Sequence, residues 1–144
     1  MTVTFFGHKD APISIQNHLI NILTDLIEHK GANIFYVGNH GNFDRLVQAV
    51  LSQLESKYPH IRYFIVLAYM PRQTDSTRQS DQSHTIFPYE MATAIPKFAI
   101  SKRNQWMLQK SDVVVTYVTH SYGGAATFKQ LAISRKKQII ELAE

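Results

Sequence analysis

Three glycine-bearing segments contain most of the residues that could do chemistry in this chain. They read Phe-Gly-His-Lys from Phe6, Val-Gly-Asn-His-Gly-Asn-Phe-Asp from Val37, and Thr-His-Ser-Tyr-Gly-Gly-Ala-Ala-Thr from Thr119. Glycine lets the backbone approach a ligand closely, and a helix that begins after such a turn offers unpaired amide hydrogens to an anion. Each segment alone is a common structural turn, but the three together indicate a phosphate or nucleotide pocket.

Several side chains in these segments could contact such a ligand. His8 and His120 could bond a phosphate or stack on a base, and Tyr122 could stack beside the glycines. Asn42 could cap the helix after the second turn, and Asp44 would lie in the first turn of that helix. The seven histidines show no metal-type spacing, so we predict no metal site and no cofactor.

The elements that must position these segments follow from hydrophobic periodicity. Short β-prone runs predict strands at 3–6, 34–37, 63–69, 113–118 and 138–142, and amphipathic runs predict helices at 13–28, 43–58, 100–110 and 124–135. This alternation predicts an α/β, Rossmann-like three-layer sandwich with a mostly parallel sheet of about five strands. All three glycine turns then lie at the carboxyl ends of strands, where open α/β sheets bind ligands.

Composition limits the possible classes of protein. The 144 residues, 44% of them hydrophobic, predict one domain over 1–144. The segment at 72–85 contains no large apolar residue, which predicts a polar, mobile loop that is either a solvated connection or a lid. The formal net charge of +4 favours an anionic ligand. The absence of cysteine excludes disulfides and a cysteine nucleophile. The N-terminus lacks the pattern of a signal peptide, and no apolar run has membrane-spanning length, so we expect a soluble, cytoplasmic domain without a membrane partner.

Four segments resemble motifs of one known superfamily. Phe-Phe-Gly-His-Lys from Phe5 is similar to a strand ending in a Gly-His-Arg turn, and the segment 38–44 is similar to Gly-Gly-Ala-x-Gly-x-Asp. The third segment is similar to an Arg-(Asn/Lys)-x-x-Met helix and the Ser-Asp after it; here it reads Lys-Arg-Asn-Gln-Trp-Met from Lys102, followed by Ser-Asp at 111–112. The fourth segment is Tyr-Gly-Gly-Ala-Ala-Thr from Tyr122. The chain thus resembles the SLOG superfamily of Smf/DprA and LOG-like Rossmannoid nucleotide-binding proteins, in particular its short stand-alone bacterial or phage-type members.

The LOG branch of that superfamily has the signature Pro-Gly-Gly-x-Gly-Thr-x-x-Glu and hydrolyses the N-glycosidic bond of cytokinin-type or purine nucleoside monophosphates. In this chain Tyr122 stands at the proline, Ala126 at the third glycine, Thr127 at the threonine and Gln130 at the glutamate. A neutral amide cannot stabilise an oxocarbenium ion as a carboxylate does. The residue at position 130 therefore argues against this activity.

The resemblance also implies a role for Arg103, which matches the arginine of the superfamily's helix motif. An arginine alone can clamp a phosphate or ribose but is not a complete catalytic set. If the chain is an N-glycosidic hydrolase, we expect Arg103 to act with Glu90, or else with Asp44, as the carboxylate. The sequence leaves open whether any ligand is turned over.

Three functions remain as hypotheses. The first is binding of a nucleotide or nucleotide-derived signal by a sensor, carrier or sequestering module, and the second is LOG-type hydrolysis. The third is single-stranded nucleic-acid binding, which is suggested by the Smf/DprA relatives and by basic residues at Lys97, Lys102, Arg103, Lys110 and 135–137. Because the net charge is modest, we do not expect nucleic acid to be the partner. Apolar helix faces and the resemblance predict a homo-oligomer. The predicted ligand-binding residues are Gly7, His8, Lys9, Gly38, Asn39, Gly41, Asp44, Arg103, Asn104, His120, Tyr122, Gly123, Gly124, Ala125 and Thr127.

Overall fold

The computed structural model describes residues 1–70 and 84–143, which form one sheet with helices on both faces. The strands are β1 (Thr2–Gly7), β2 (Ile34–Val37), β3 (Arg62–Val66), β4 (Thr85–Ile86), β5 (Val113–Tyr117) and β6 (Gln138–Glu141). The helices are α1 (Gln16–His29), α2 (Gly41–Lys57), α3 (Ala99–Lys110) and α4 (Gly124–Ser134). Every strand pair is parallel, and the strand order is β4-β3-β2-β1-β5-β6. The predicted α/β, Rossmann-like fold is confirmed.

Two differences from the sequence prediction concern the region after β3. The sheet has six strands because Thr85 and Ile86 pair with Ile65 and Val66. The prediction of a mobile loop at 72–85 falls mainly on 71–83, which lie outside the described residues, and its last residue belongs to β4. Among the described residues, no helix is both long and apolar enough to cross a membrane.

The core lies on both faces of the sheet, as the nearly continuous apolar strands require. Alternation along β1 sends Phe5 to the cluster that includes α1 and α2, whereas Phe6 joins a second cluster containing Met107 of α3 and Phe128 of α4. The rings of Phe6 and Phe128 are stacked with centroids 5.3 Å apart. Strand β1 is therefore packed from both faces of the sheet.

A topological switch lies between β1 and β5. The chain builds outward from β1 through β2, β3 and β4, then crosses back to place β5 on the other side of β1. The register pairs Gly7 with Tyr117, and the amide of His8 donates to the carbonyl of Tyr117 at 3.2 Å. The connections after β1 and β5 consequently diverge from the same point, which is where open α/β sheets leave a crevice.

Candidate functional site

A cavity of about 450 Å³ lies at this switch point. Its lining includes eleven of the predicted ligand-binding residues: Gly7, His8, Lys9, Asp44, Arg103, Asn104, His120, Tyr122, Gly123, Gly124 and Ala125. They come from the segments after β1 and β5, from the start of α2 and from one face of α3. The fold thus brings all three glycine-bearing segments to one edge.

Four predicted residues do not line the cavity, but each supports a residue nearby. A Cβ on Gly38 would lie 2.8 Å from Asp44 Oδ2 and 2.9 Å from Arg103 Nη1, so only glycine leaves room for both side chains. Asn39 Oδ1 accepts a hydrogen bond from Arg103 Nη1 at 3.2 Å. Thr127 Oγ1 donates to the carbonyl of Gly123 at 3.0 Å within the first turn of α4.

Gly41, the fourth of these residues, begins α2 and meets two requirements that favour glycine. Its φ is +84°, and a Cβ there would lie 2.8 Å from Lys9 Cα. The prediction that Asn42 caps α2 is wrong, because His40 is the residue before the helix and no side chain caps it. Asp44 instead reaches back, and its Oδ2 accepts the His40 amide hydrogen at 2.9 Å.

The remaining lining residues were missed in the sequence, although some carried a signal. Asp10 directly follows the first segment and His40 lies within the second. Ile100 and Met107 lie three and four residues either side of Arg103, on the helix face that positions it. Ile100 and Met107 could therefore have been predicted from their helical spacing to Arg103. Phe5 and Phe6 also border the cavity; they begin the first segment and its motif, but as buried residues of β1 they were not predicted to contact a ligand.

Arg103 is the most unusual side chain of the site, since only 2% of its surface is exposed. Its Nε donates to Asn104 Oδ1 at 2.8 Å, and Nη1 donates to the Val66 carbonyl at 3.0 Å as well as to Asn39. Among the described residues, Nη2 has no hydrogen-bond partner. Burial lowers the pKa of Arg103, while the negative charge of Asp44 opposes that shift.

Asp44 is the buried carboxyl group of the site. Burial raises its pKa to about 6, although the His40 amide and the charge of Arg103 both act in the opposite direction. The same surroundings act on His40, whose pKa is lowered by burial and by the positive charges of Arg103 and Lys9. The site therefore combines two cations with a carboxyl group that titrates near neutral pH.

Three rings form a continuous stack across the mouth of the cavity. The centroids of His8 and His120 are 3.6 Å apart with 12° between the rings, and those of His120 and Tyr122 are 3.8 Å apart with 18° between them. His8 Nε2 accepts the amide hydrogen of Thr119 at 2.9 Å, which requires that nitrogen to be unprotonated. Burial, and then the neighbouring His120, lower the pKa of His8. The stack thus runs from a buried, neutral imidazole to Tyr122, which is 71% exposed.

Glu90 is not brought to this cavity. Its Oε2 accepts a hydrogen bond from Trp106 Nε1 at 2.7 Å, and it lines a separate surface depression with Lys102 and Arg135. The hydrogen bond from Trp106 lowers the pKa of Glu90, so the group is held as a carboxylate away from the site. Within residues 1–70 and 84–143, no cluster of three His, Asp or Glu side chains could hold a metal ion.

Comparisons with known proteins show similarity of fold to solved structures but no match in sequence. No protein-family model and no curated protein sequence matches the chain. Its architecture is that of a Rossmann-like fold, and similar solved structures come from DNA processing protein A. The DprA from Streptococcus pneumoniae is 12% identical with a TM-score of 0.69, over 97% of this chain and 49% of that chain. The DprA from Helicobacter pylori, described by its single-stranded DNA binding mode, is 16% identical with a TM-score of 0.65, over 98% of this chain and 64% of that chain.

These similarities bear on two sequence predictions. At such low identity they show the fold, and they agree with the Smf/DprA part of the resemblance; the short stand-alone type stays a prediction. The chain spans about half of one relative and under two thirds of the other. The expectation that nucleic acid is not the partner is wrong, because a structural relative binds single-stranded DNA. A modest net charge does not exclude that class, since a few well-placed cations and rings can hold a strand.

Proposed function

We propose that this chain binds single-stranded DNA at the carboxyl edge of its sheet, with one nucleotide in the cavity between β1 and β5. The main support is the ring stack that ends in exposed Tyr122 beside a cavity lined by Lys9 and Arg103. Stacking platforms next to cationic grooves are how proteins bind single strands without reading sequence. The relative with a described single-stranded DNA binding mode supports the same choice.

The phosphate would lie at the start of α4. Gly124 and Ala125 line the cavity and begin this helix, so their amide hydrogens have no partner within it. Lys9, an exposed residue, and the buried Arg103 also line the cavity and would add two positive charges. Together these groups supply the charge and the directed donors that a phosphodiester requires.

The base would continue the stack on Tyr122. His8 and His120 support that ring from one side, and the Tyr122 carbonyl accepts a hydrogen bond from His120 Nδ1 at 3.0 Å. A ring already held in place loses little conformational entropy when a base stacks on it. Because every base has a π face, this contact would tolerate any sequence.

A free nucleotide is the second candidate, favoured by the size of the cavity. A volume of about 450 Å³ is within the range of small-molecule sites. Hydrolysis has weaker support, because Gln130 is neutral and Glu90 is bound to Trp106 outside the cavity. Of the two carboxylates considered for that reaction, only Asp44 lines the cavity, and its Oδ2 already accepts the His40 amide hydrogen. We therefore propose binding rather than catalysis, with the oligonucleotide ahead of the mononucleotide.

The test is fluorescence anisotropy of a labelled oligothymidylate with the wild type and three tyrosine variants. Tyr122→Ala should weaken binding by about 5- to 150-fold, the range of one base–aromatic stack, whereas Tyr122→Phe should retain it. Tyr89→Ala is the matched control, because Tyr89 is 85% exposed and does not line the cavity. Equal affinity of Tyr122→Ala and wild type would refute the proposal. Calorimetric binding of a nucleoside monophosphate without any oligonucleotide binding would favour the second candidate instead.

A further inference from the structure

A second exposed ring lies at the same edge of the sheet, on the far side of the cavity from Tyr122. Tyr69 follows β3 by three residues, is 48% exposed, and donates its hydroxyl hydrogen to the Pro96 carbonyl at 3.0 Å. That bond fixes a half-exposed aromatic ring against the turn Pro96–Phe98, which leads directly into α3. An anchored, exposed tyrosine has no evident role in the core.

The position of Tyr69 connects it to the cavity. The Tyr69 hydroxyl is bonded to Pro96, and the short turn Pro96–Phe98 leads without a break into α3, which carries Arg103. Helix α3 begins beside Tyr69 and presents Ile100, Arg103 and Asn104 to the cavity. Tyr69 follows β3 and Tyr122 follows β5, so along the sheet edge the two rings lie on either side of β2 and β1, and α3 joins the anchor of Tyr69 to the cavity.

From these contacts we infer that the edge is an extended site for a short single strand, in which a base stacks on Tyr122 at one end and another base stacks on Tyr69 at the other. The inference rests on the proposed function and adds a second subsite and a length to it. Lys97 is exposed and directly follows the anchoring Pro96, and its Nζ lies over the Phe98 ring at 5.0 Å from the centroid. It would supply a cation for the backbone at the Tyr69 end. Basic and aromatic side chains alternate in this way along grooves for single strands.

The sheet itself sets the length of the strand. β3 and β5 are separated by β2 and β1, which makes three inter-strand steps, or roughly 14 Å at ~4.8 Å per step. A stacked strand rises by ~3.4 Å per nucleotide, so this span corresponds to about four nucleotides, and to fewer if the strand is extended. Oligonucleotides shorter than this can reach one ring but not both.

The experiment is calorimetric titration with unlabelled oligothymidylates from about one to about eight nucleotides at low salt. For the wild type, affinity should rise steeply up to about four nucleotides and change little per nucleotide beyond that length. Tyr69→Ala should bind the mononucleotide as the wild type does, but should bind the longer strands about 5- to 150-fold more weakly. Tyr89→Ala, which removes a ring elsewhere, should behave as wild type. Tyr69→Phe keeps the ring but loses the bond to Pro96, so its affinity for the longer strands should lie between those of the wild type and Tyr69→Ala.

The possible failures can be told apart. If Tyr69→Ala binds every length as the wild type does while Tyr122→Ala is weakened, the second subsite is refuted and the proposed function stands. If the wild type binds no oligothymidylate at any length, the proposed function itself fails. If Tyr69→Ala instead turns a dimer into a monomer in light-scattering chromatography and leaves DNA affinity unchanged, this surface joins two copies of the chain and the inference is overturned.

Discussion

Replacing Gly124 by aspartate should separate binding from stability. Gly124 is the first residue of α4 and lines the cavity, and a Cβ added there would meet no atom within 4 Å. The new side chain therefore fits without displacing anything. A carboxylate in the first turn of a helix stabilises it by ~0.3–1 kcal/mol, and loss of a helical glycine adds to this gain. We expect the free energy of unfolding in urea to stay the same or rise.

The same carboxylate should weaken phosphate binding. Two negative charges ~5 Å apart repel by ~3 kcal/mol at an effective dielectric constant of ~20, and by ~0.8 kcal/mol in bulk water. Because Gly124 is exposed, we expect a value between these limits, which corresponds to a loss of roughly 4- to 140-fold in affinity at ~1.4 kcal/mol per factor of ten. Gly124→Asn is the matched control, since it has the same shape without the charge.

Oligothymidylate binding by the two variants should be compared in anisotropy titrations across a range of salt concentrations. The difference between Gly124→Asp and Gly124→Asn should be largest at low salt and should shrink as salt screens the repulsion over a Debye length of ~10 Å at ~0.1 M. Equal affinities of the two variants at low salt would refute the placement of a phosphate at the start of α4. Unfolding of Gly124→Asp would contradict the open space seen at this position.

Two further predictions concern the residues that shape the site. A Cβ on Gly7 would lie 2.3 Å from Cγ of the buried Phe43 ring. Gly7→Ala should therefore lower the free energy of unfolding by ~1–3 kcal/mol, and adding Phe43→Leu in the same chain should restore part of that free energy. If urea denaturation shows that the two losses simply add, the overlap between the two side chains is contradicted. The folded-state pKa of Asp44 is raised from 3.8 to about 6, so the native state binds this proton more tightly than the unfolded chain and stability must fall as pH rises from about 4 to about 6. Asp44→Asn should remove this fall. As pH rises between those values, the free energy of unfolding of the variant should increase by ~3 kcal/mol relative to that of the wild type, at ~1.4 kcal/mol per pKa unit. Parallel curves of unfolding free energy against pH for the two proteins would show that Asp44 is not the group responsible.

The sequence predicted the elements well where periodicity is strong. Five of the six strands and all four long helices were found, because alternating and 3.6-residue patterns are written in the residues of each element. β4 was missed because its two residues have no pattern of their own and form a strand only by pairing with β3. The end of β3 was placed too late, since the apolar run continues to Tyr69 after the strand ends at Val66.

The candidate site was predictable as a set of segments but not as a geometry. Parallel strands bring their carboxyl ends together, so the glycine turns after β1, β2 and β5 had to meet at one edge. The stacking of His8 on His120 joins residues 112 positions apart and depends on the register that pairs Gly7 with Tyr117. The attachment of Glu90 to Trp106 likewise depends on packing, which no local pattern in the sequence encodes.

The central claim is that a base of single-stranded DNA stacks on Tyr122. Its most direct test is nuclear magnetic resonance of the chain with labelled tyrosine rings, during titration with a short oligothymidylate. The ring protons of Tyr122 should move upfield with the same binding curve that calorimetry gives, while those of exposed Tyr89 should not move. Saturation of binding with the Tyr122 resonances unchanged would contradict the claim.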